Sequence, residues 1–139
     1  MAKGALWQSL KTEMLDFAEA SEAGLRTANL LDAFQQAVQC ADSTTKYVVE
    51  AAAKDPHAIG AAAVNYQELL GHVLYAYMWC LMVVEAQSKM NVQAQKAFME
   101  SKLHTAHYYF EQLLPVISSL EQKIRAGSTS MMSLSEHQW

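Results

Sequence analysis

The chain has 139 residues, which is the length of one domain. Its net charge is −4, and its ten Lys and Arg residues are scattered without a basic run, which argues against a surface that binds nucleic-acid phosphates. Apolar residues make up 52% of the chain, and only five glycines and two prolines interrupt it. This composition favours long helices over a β-sandwich or a barrel.

Two amphipathic helices are predicted in the first part of the chain. The first covers residues 3–22, ends at Gly24 as a C-terminal cap, and carries an apolar stripe of Trp7, Leu10, Met14 and Phe17. The second covers residues 30–54, where Asn29 and Asp32 resemble a capping arrangement. Its stripe consists of Leu31, Phe34, Val38, Ala41, Thr45, Val48 and Ala52.

Residues 55–89 form the most apolar segment and predict the third helix. Asp55 is the expected N-cap, and Pro56 suits the first helical position because it has no N–H to satisfy. One stripe, spaced alternately by four and three, is Ile59, Ala63, Tyr66, Leu70, Val73, Tyr77, Cys80 and Val84. A second row beside it is Ala62, Leu69, Ala76 and Val83. A helix with so wide an apolar arc is normally surrounded by other helices, and Gly60 and Gly71 are predicted to be packing glycines.

A fourth helix is predicted over residues 92–126, with Asn91 as its N-cap and Gly127 as its stop. Its stripe is Met99, Leu103, Ala106, Phe110, Leu113, Ile117, Leu120 and Ile124. Pro115 removes the hydrogen bond to the Glu111 carbonyl. Because the stripe continues past Pro115 in phase, the pattern predicts one bent helix and not two helices.

Four helices joined by short breaks predict an all-α fold, an antiparallel up-down four-helix bundle over residues 1–127. Residues 128–139 form a short C-terminal tail without a helical period, with apolar side chains at Met131, Met132, Leu134 and Trp139. At about 1.5 Å per residue, the third and fourth helices are about 50 Å long and the first about 30 Å. The long hairpin is therefore expected to extend beyond the shorter pair and to expose apolar side chains at its end.

The cysteines and the apolar runs bear on where the protein works. Cys40 and Cys80 lie in apolar helical contexts, which predicts free thiols in a reducing compartment and a cytoplasmic location. The longest apolar run, Val73–Val84, has 12 residues. That is short of the ~20 residues that a membrane-spanning helix needs, so no membrane span is predicted.

The sharpest cluster of metal-ligand residue types is on the fourth helix: Glu100, His104, His107 and Glu111. Glu68 and His72 on the third helix form another pair, at a spacing of four. Di-metal bundles use Glu-x-x-His on two helices, and this chain has none. The cluster is also turned roughly 90–100° from the core stripe. We therefore predict a polar flank and no metal site. A metal-binding bundle through these four residues remains an alternative.

Helices three and four carry a family resemblance. The features are Tyr66 with Leu69-Leu70-Gly71, then Trp79, the run Lys102–Ala106 followed by Tyr108, Leu113-Leu-Pro115, and Ile124-Arg-Ala-Gly127. In this order they resemble the C-terminal helical domain of long acyl-CoA dehydrogenases, in the subgroup similar to 3-methylmercaptopropionyl-CoA dehydrogenases. The resemblance is best over residues 60–134.

The resemblance implies an FAD-dependent oxidoreductase that performs α,β-dehydrogenation of acyl-CoA thioesters, with its chemistry in a catalytic core that precedes this domain. It assigns no catalytic, FAD-binding or metal-binding residue to this chain. It implies an accessory domain that packs against the catalytic core or a second subunit, in a homo-oligomer. The alternative from another class is a stand-alone helical protein-interaction module.

Overall fold

The computed structural model describes residues 4–138, and these are helical throughout, without a β-strand. The α-helices are α1 (Ala5–Ala20), α2 (Glu22–Thr27), α3 (Leu31–Lys54), α4 (Ala58–Lys89), α5 (Lys96–Tyr108), α6 (Val116–Arg125) and α7 (Thr129–Met132). A 3-10 turn, Gln93–Gln95, precedes α5, and another, Glu136–Gln138, follows α7. The all-α class is confirmed. The predicted helix start at residue 3 and the tail residue Trp139 lie outside the described residues.

The first predicted helix is interrupted, and the role assigned to Gly24 was wrong. α1 ends at Ala20, and Gly24 lies inside α2 instead of capping a helix. The Gln87 side-chain amide donates a hydrogen bond of 2.8 Å to the Gly24 carbonyl. A Cβ at position 24 would lie 2.5 Å from the Gln87 Oε1 atom, so glycine permits the close approach of α2 to α4.

Asn29 ends α2, and the prediction that it caps the following helix was wrong. Its φ is 57°, in the left-handed region that asparagine tolerates better than most residues. The Leu30 amide donates to the Leu25 carbonyl and the Asn29 amide to the Arg26 carbonyl, which is the pattern of a Schellman motif. α3 then begins at Leu31 without a side-chain cap.

α4 begins two residues later than predicted. Asp55 Oδ1 accepts a hydrogen bond of 2.9 Å from the His57 amide, which closes a turn before the helix. Pro56 therefore lies in this turn, and Ala58 is the first helical residue. The assignment of Asp55 and Pro56 to the first helical turn was wrong, although Asp55 does accept a free amide.

α4 lies at the centre of the fold, as its wide apolar arc predicted, and contacts α2, α3, α5 and α6. The deepest positions are those of the second row: Ala62, Leu69, Ala76 and Val83 are at most 5% exposed. The first stripe is buried only at Val73, Tyr77 and Cys80, and Ile59 is 51% exposed. By length and composition α4 could also cross a membrane, with a mean hydropathy of 1.5 over 18 residues. A buried helix of a soluble protein meets the same criteria.

The predicted single helix over residues 92–126 is two α-helices joined by a π-helical turn, Tyr109–Leu113. The Leu114 amide donates to the Tyr109 carbonyl five residues back, and Pro115 follows with φ −57°. The π turn inserts one residue, so Leu114 is buried at 4% exposure while the predicted Leu113 is 44% exposed. Asn91 does not cap the segment, whereas Gly127, at φ 73°, follows the end of α6 as predicted.

Two contacts between α3 and α4 show the relative direction of these neighbouring helices. Phe34 of α3 stacks on Tyr77 of α4 with ring centroids 6.1 Å apart. Eleven residues later along α3, the Thr45 hydroxyl lies 2.7 Å from that of Tyr66. Because the residue number rises on one helix and falls on the other, α3 and α4 are antiparallel. The first residue of the tail is held too: the Ser128 hydroxyl donates to the Asp55 carboxylate.

Candidate functional site

The structure does not gather the four candidate metal ligands. Glu100, His104 and Glu111 are exposed, whereas half-buried His107 donates its Nε2 proton to the Ala28 carbonyl at 2.7 Å. His107 thereby satisfies a carbonyl at the end of α2. The π turn after α5 also takes Glu111 out of the four-three register. Across residues 4–138, no three His, Cys, Asp or Glu side chains are grouped to hold a metal ion.

His72, which the sequence pairs with Glu68 four residues earlier, binds Tyr109 instead. The Tyr109 hydroxyl donates to the His72 carbonyl at 2.9 Å, and His72 Nδ1 lies 2.9 Å from the same hydroxyl. Since the hydroxyl proton is used, Nδ1 must carry a proton and donate it. Burial, with a smaller contribution from Tyr75, raises the pKa of Tyr109 to about 12, so this tyrosine is a structural link between α4 and the π turn.

Asp42 is the polar residue that sequence reasoning missed. Its carboxylate is buried and accepts a hydrogen bond from Trp7 Nε1 at 3.0 Å, with Lys11 Nζ at 3.0 Å and Lys46 Nζ at 2.8 Å. Burial alone raises the pKa of Asp42, but the hydrogen bonds from Lys46, Trp7 and Lys11 outweigh it and hold the pKa well below its usual range. The available signal was the spacing of four between Trp7 and Lys11 and between Asp42 and Lys46.

The two thiols are unsuited to nucleophilic chemistry. Burial, together with hydrogen bonding to Glu121, raises the pKa of Cys40 to about 11, and burial raises that of Cys80 to about 12. The Cys40 thiol donates to Glu121 Oε2 at 3.3 Å, and Arg125 Nε donates to Glu121 Oε1 at 3.0 Å. Both thiols therefore remain protonated at neutral pH, and the thiolate is the reactive form.

A concave apolar surface lies near the turn between α4 and α5. This groove has a volume of about 490 Å³ and is lined by Leu81, Met82, Glu85, Ala86, Lys89, Phe98, Met99 and Lys102. Phe98 is 59% exposed, and Lys102 Nζ lies 4.9 Å from the centre of its ring. Glu85 and Lys89 form an ion pair of 2.7 Å. Val92 at the same turn is 49% exposed, so this end of the hairpin exposes apolar side chains, as predicted.

Neither concavity suits a flavin dinucleotide. The groove is lined mainly by apolar side chains, and its one ion pair already joins Glu85 to Lys89, so it lacks the array of donors that a pyrophosphate needs. A second concavity of about 360 Å³, beside Gly127, includes Glu50 and Asp55, whose carboxylates repel phosphate. The lining of these two concavities therefore does not fit FAD.

Comparison with known proteins gives one match. A family model described as "Acetyl-CoA dehydrogenase C-terminal like" matches residues 10–135. No curated protein and no solved structure matches the chain. The family match runs from within α1 to α7 and so includes the residues before 60, where the sequence resemblance is weaker. The chain therefore belongs to the acetyl-CoA dehydrogenase C-terminal-like family.

Proposed function

We propose that this chain is the C-terminal accessory domain of an FAD-dependent acyl-CoA dehydrogenase. The observation that carries this proposal is the family match over residues 10–135. The flavin and the catalytic base belong to the preceding core, where α,β-dehydrogenation of the acyl-CoA thioester takes place. The order of motifs over residues 60–134 favours the 3-methylmercaptopropionyl-CoA dehydrogenase-like subgroup.

We propose further that residues 1–127 act as one antiparallel up-down bundle, in which α5, the π turn and α6 serve as the fourth helix, with residues 128–139 as the tail. The pairing of Trp7 with Asp42 and of Phe17 with Phe34 supports antiparallel packing of α1 on α3. The pairing of His72 with Tyr109, together with the groove in which residues 81–89 face residues 98–102, supports the same arrangement for α4 and the fourth helix.

The role we assign to the domain is assembly. The α5 wall of the groove presents Phe98 to solvent, and exposed apolar side chains in a concave surface are typical of protein contacts. We propose the catalytic core of the parent dehydrogenase as the occupant of this groove, since the family is defined by a position C-terminal to that core.

The first experiment is the mass of the native polypeptide, measured in source cells with an antibody raised against this chain. The proposal expects a polypeptide several times larger than 15.5 kDa that co-purifies with flavin absorbance. A native polypeptide of 15.5 kDa without flavin would contradict it and would favour the stand-alone interaction module.

A second experiment tests the groove in that larger polypeptide. Phe98→Glu places a carboxylate on the apolar floor and is expected to loosen the domain from the core, which limited proteolysis detects as faster release of a fragment of about 15 kDa. Leu6→Glu, at a position on α1 that is 85% exposed, is the matched control and should leave the release rate unchanged. Equal release rates for both variants would remove the groove from the proposal.

A further inference from the structure

The solvent-facing side of α4 has an unusual composition for an exposed helix face. The residues that follow one another along it, at spacings of four and three, are Gly60, Val64, Gln67, Gly71, Tyr75, Met78 and Met82; we refer to them as the outer stripe. Val64 is 75% exposed, Tyr75 62% and Met78 49%. Between Ala58 and Val84 the only Asp, Glu, Lys or Arg is Glu68. Helix faces in contact with water normally carry several charged side chains.

The two glycines of the outer stripe have no packing role inside the chain. A Cβ at Gly60 or at Gly71 would meet nothing within 4 Å, in contrast to Gly24, where it would meet Gln87. Glycine weakens the interior of a helix relative to alanine, so its presence here is unfavourable for the isolated fold. Because glycine has no Cβ, it allows another backbone to approach the helix closely. Among residues 4–138, no neighbour packs against Gly60 or Gly71 as the sequence prediction of packing glycines requires.

We propose that the outer stripe is the contact between two copies of this chain, packed antiparallel about a twofold axis at Gly71. The spacings along the stripe are four, three, four on either side of Gly71, so the stripe opposes itself when one copy is reversed. An antiparallel twofold contact at Gly71 sets residue 71 + n of one copy against residue 71 − n of the other, and both members of each such pair belong to the outer stripe. Alternating spacings of four and three also suit shallow packing of one helix against another.

The antiparallel register places small residues opposite large ones. Gly60 lies opposite Met82 of the partner helix and Val64 opposite Met78, while Gly71 lies opposite its own copy. Gln67 lies opposite Tyr75, which brings an amide within reach of a phenol hydroxyl. A parallel register would instead oppose Met82 to Met82, where two large side chains would clash. It would also oppose Gly60 to Gly60, where a void would remain. Close packing therefore favours the antiparallel pair.

The charges at the two ends of the stripe support the same register. One turn before Gly60 lies His57, and one turn after Met82 lies Glu85, and both are exposed. Reversal of one copy sets His57 opposite Glu85 at each end of the contact. A parallel pair would instead set the Glu85–Lys89 ion pair beside its own copy and leave His57 without this partner. The stripe from Gly60 to Met82 is about 33 Å long at 1.5 Å per residue.

This inference deepens the assembly role proposed above, and it rests on that role only for its place in an enzyme. Self-association is a property of the 139-residue chain and is tested with that chain. A monomeric chain would overturn the inference and leave the link to a dehydrogenase intact, because that link is tested by native mass and flavin content.

The first test is the mass of the purified chain in solution by sedimentation at micromolar to 100 µM concentrations. We expect twice the 15.5 kDa of one chain at the upper end of this range. Val64→Glu is expected to return the mass to that of one chain, because two carboxylates would be buried against methionine. Val49→Glu, at a position on α3 that is 40% exposed, is the matched control and should remain dimeric. A monomeric parent chain, or equal effects of both variants, would overturn the proposal.

The second test fixes direction and register through new cysteines. A mixture of Gln67→Cys and Tyr75→Cys chains under mild oxidation is expected to give a disulfide-linked dimer, since these positions oppose each other. Each variant alone should give no more cross-link than the unsubstituted chain, which contains half-buried Cys40 and buried Cys80 as background. Efficient cross-linking of Gln67→Cys with itself would indicate a parallel pair and overturn the antiparallel register.

Discussion

The inner and outer faces of α4 are both apolar, but their surroundings differ completely. On the inner face Leu69, Ala76 and Val83 are fully buried. On the outer face Val64 and Met78 are 75% and 49% exposed. Fewer than half of the residues in the most apolar window of this helix are buried. The high hydropathy of α4 is typical of a helix with contacts on several sides. The helices within residues 4–138 cover its inner face and leave its outer face exposed.

Substitution on the inner face should have the largest effect. Leu69→Ala removes a fully buried side chain between α3 and α4 and is expected to lower the free energy of unfolding by about 3–5 kcal/mol, from lost burial and the cavity left behind. Val64→Ala on the outer face should change it by no more than about 0.5 kcal/mol at concentrations where the chain is monomeric. Urea titration followed by circular dichroism measures both. Equal losses would contradict the distinction between the two faces.

Much of the fold could be predicted from sequence, because long apolar periodicity determines where helices lie and which is central. The central position of α4 and the stop at Gly127 follow from such patterns. The wrong predictions concern residues that are typical of two different local structures. Asn29 was interpreted as an N-cap, but asparagine also tolerates the left-handed conformation that ends a helix. Pro56 was placed in the first helical turn, but the Asp55–His57 hydrogen bond closes a turn before it.

The candidate site was less predictable, because its residues meet through tertiary contacts. The residues around Asp42 do not indicate that its hydrogen-bond donor is Trp7, which lies 35 positions away in sequence. The spacing of three between His104 and His107 correctly indicated one face of a helix. The carbonyl that accepts the hydrogen bond from His107, however, lies at the end of α2. Periodicity identifies a shared face, and only the fold identifies what that face meets.

The π turn gives a second pair of contrasting positions. Leu114→Ala is expected to cost about 2–4 kcal/mol, because Leu114 is buried at 4% exposure. Leu113→Ala, one residue earlier and 44% exposed, should cost less than about 1 kcal/mol. An uninterrupted α-helix with the predicted stripe would reverse this order. The two free energies of unfolding, measured by urea titration, therefore decide the register beyond Tyr109.

Asp42 provides a polar contrast to the apolar inner face. Asp42→Asn removes the charge that Lys11 and Lys46 share, and it is expected to lower the free energy of unfolding by about 2–3 kcal/mol at pH 7. This is less than for a fully buried ion pair, since the Lys46 side chain is 62% exposed. Asp16→Asn, at an exposed position on α1, is the control and should be nearly neutral.

The same carboxylate predicts an acid dependence of stability. The pKa of Asp42 is lower in the folded protein than in the unfolded chain, so the unfolded chain binds its proton first as the pH falls. The stabilisation is fully present above the ordinary aspartate pKa of about 4 and decreases below it. The free energy of unfolding between pH 5 and pH 2 should therefore fall more steeply for the parent chain than for Asp42→Asn. Parallel curves would assign the acid dependence to other carboxylates.

The smallest expected effect separates the glycines of α4 from that of α2. Gly71→Ala should raise the free energy of unfolding of the monomer by about 0.5–1 kcal/mol, because the new Cβ meets nothing within 4 Å and alanine favours the helix. Gly24→Ala should gain nothing, because its Cβ would displace Gln87 and break the hydrogen bond to the Gly24 carbonyl. If Gly71→Ala stabilises the monomer and also weakens the dimer measured by sedimentation, then this glycine serves a contact outside the chain. A stabilised monomer with unchanged self-association would place the twofold axis elsewhere on α4.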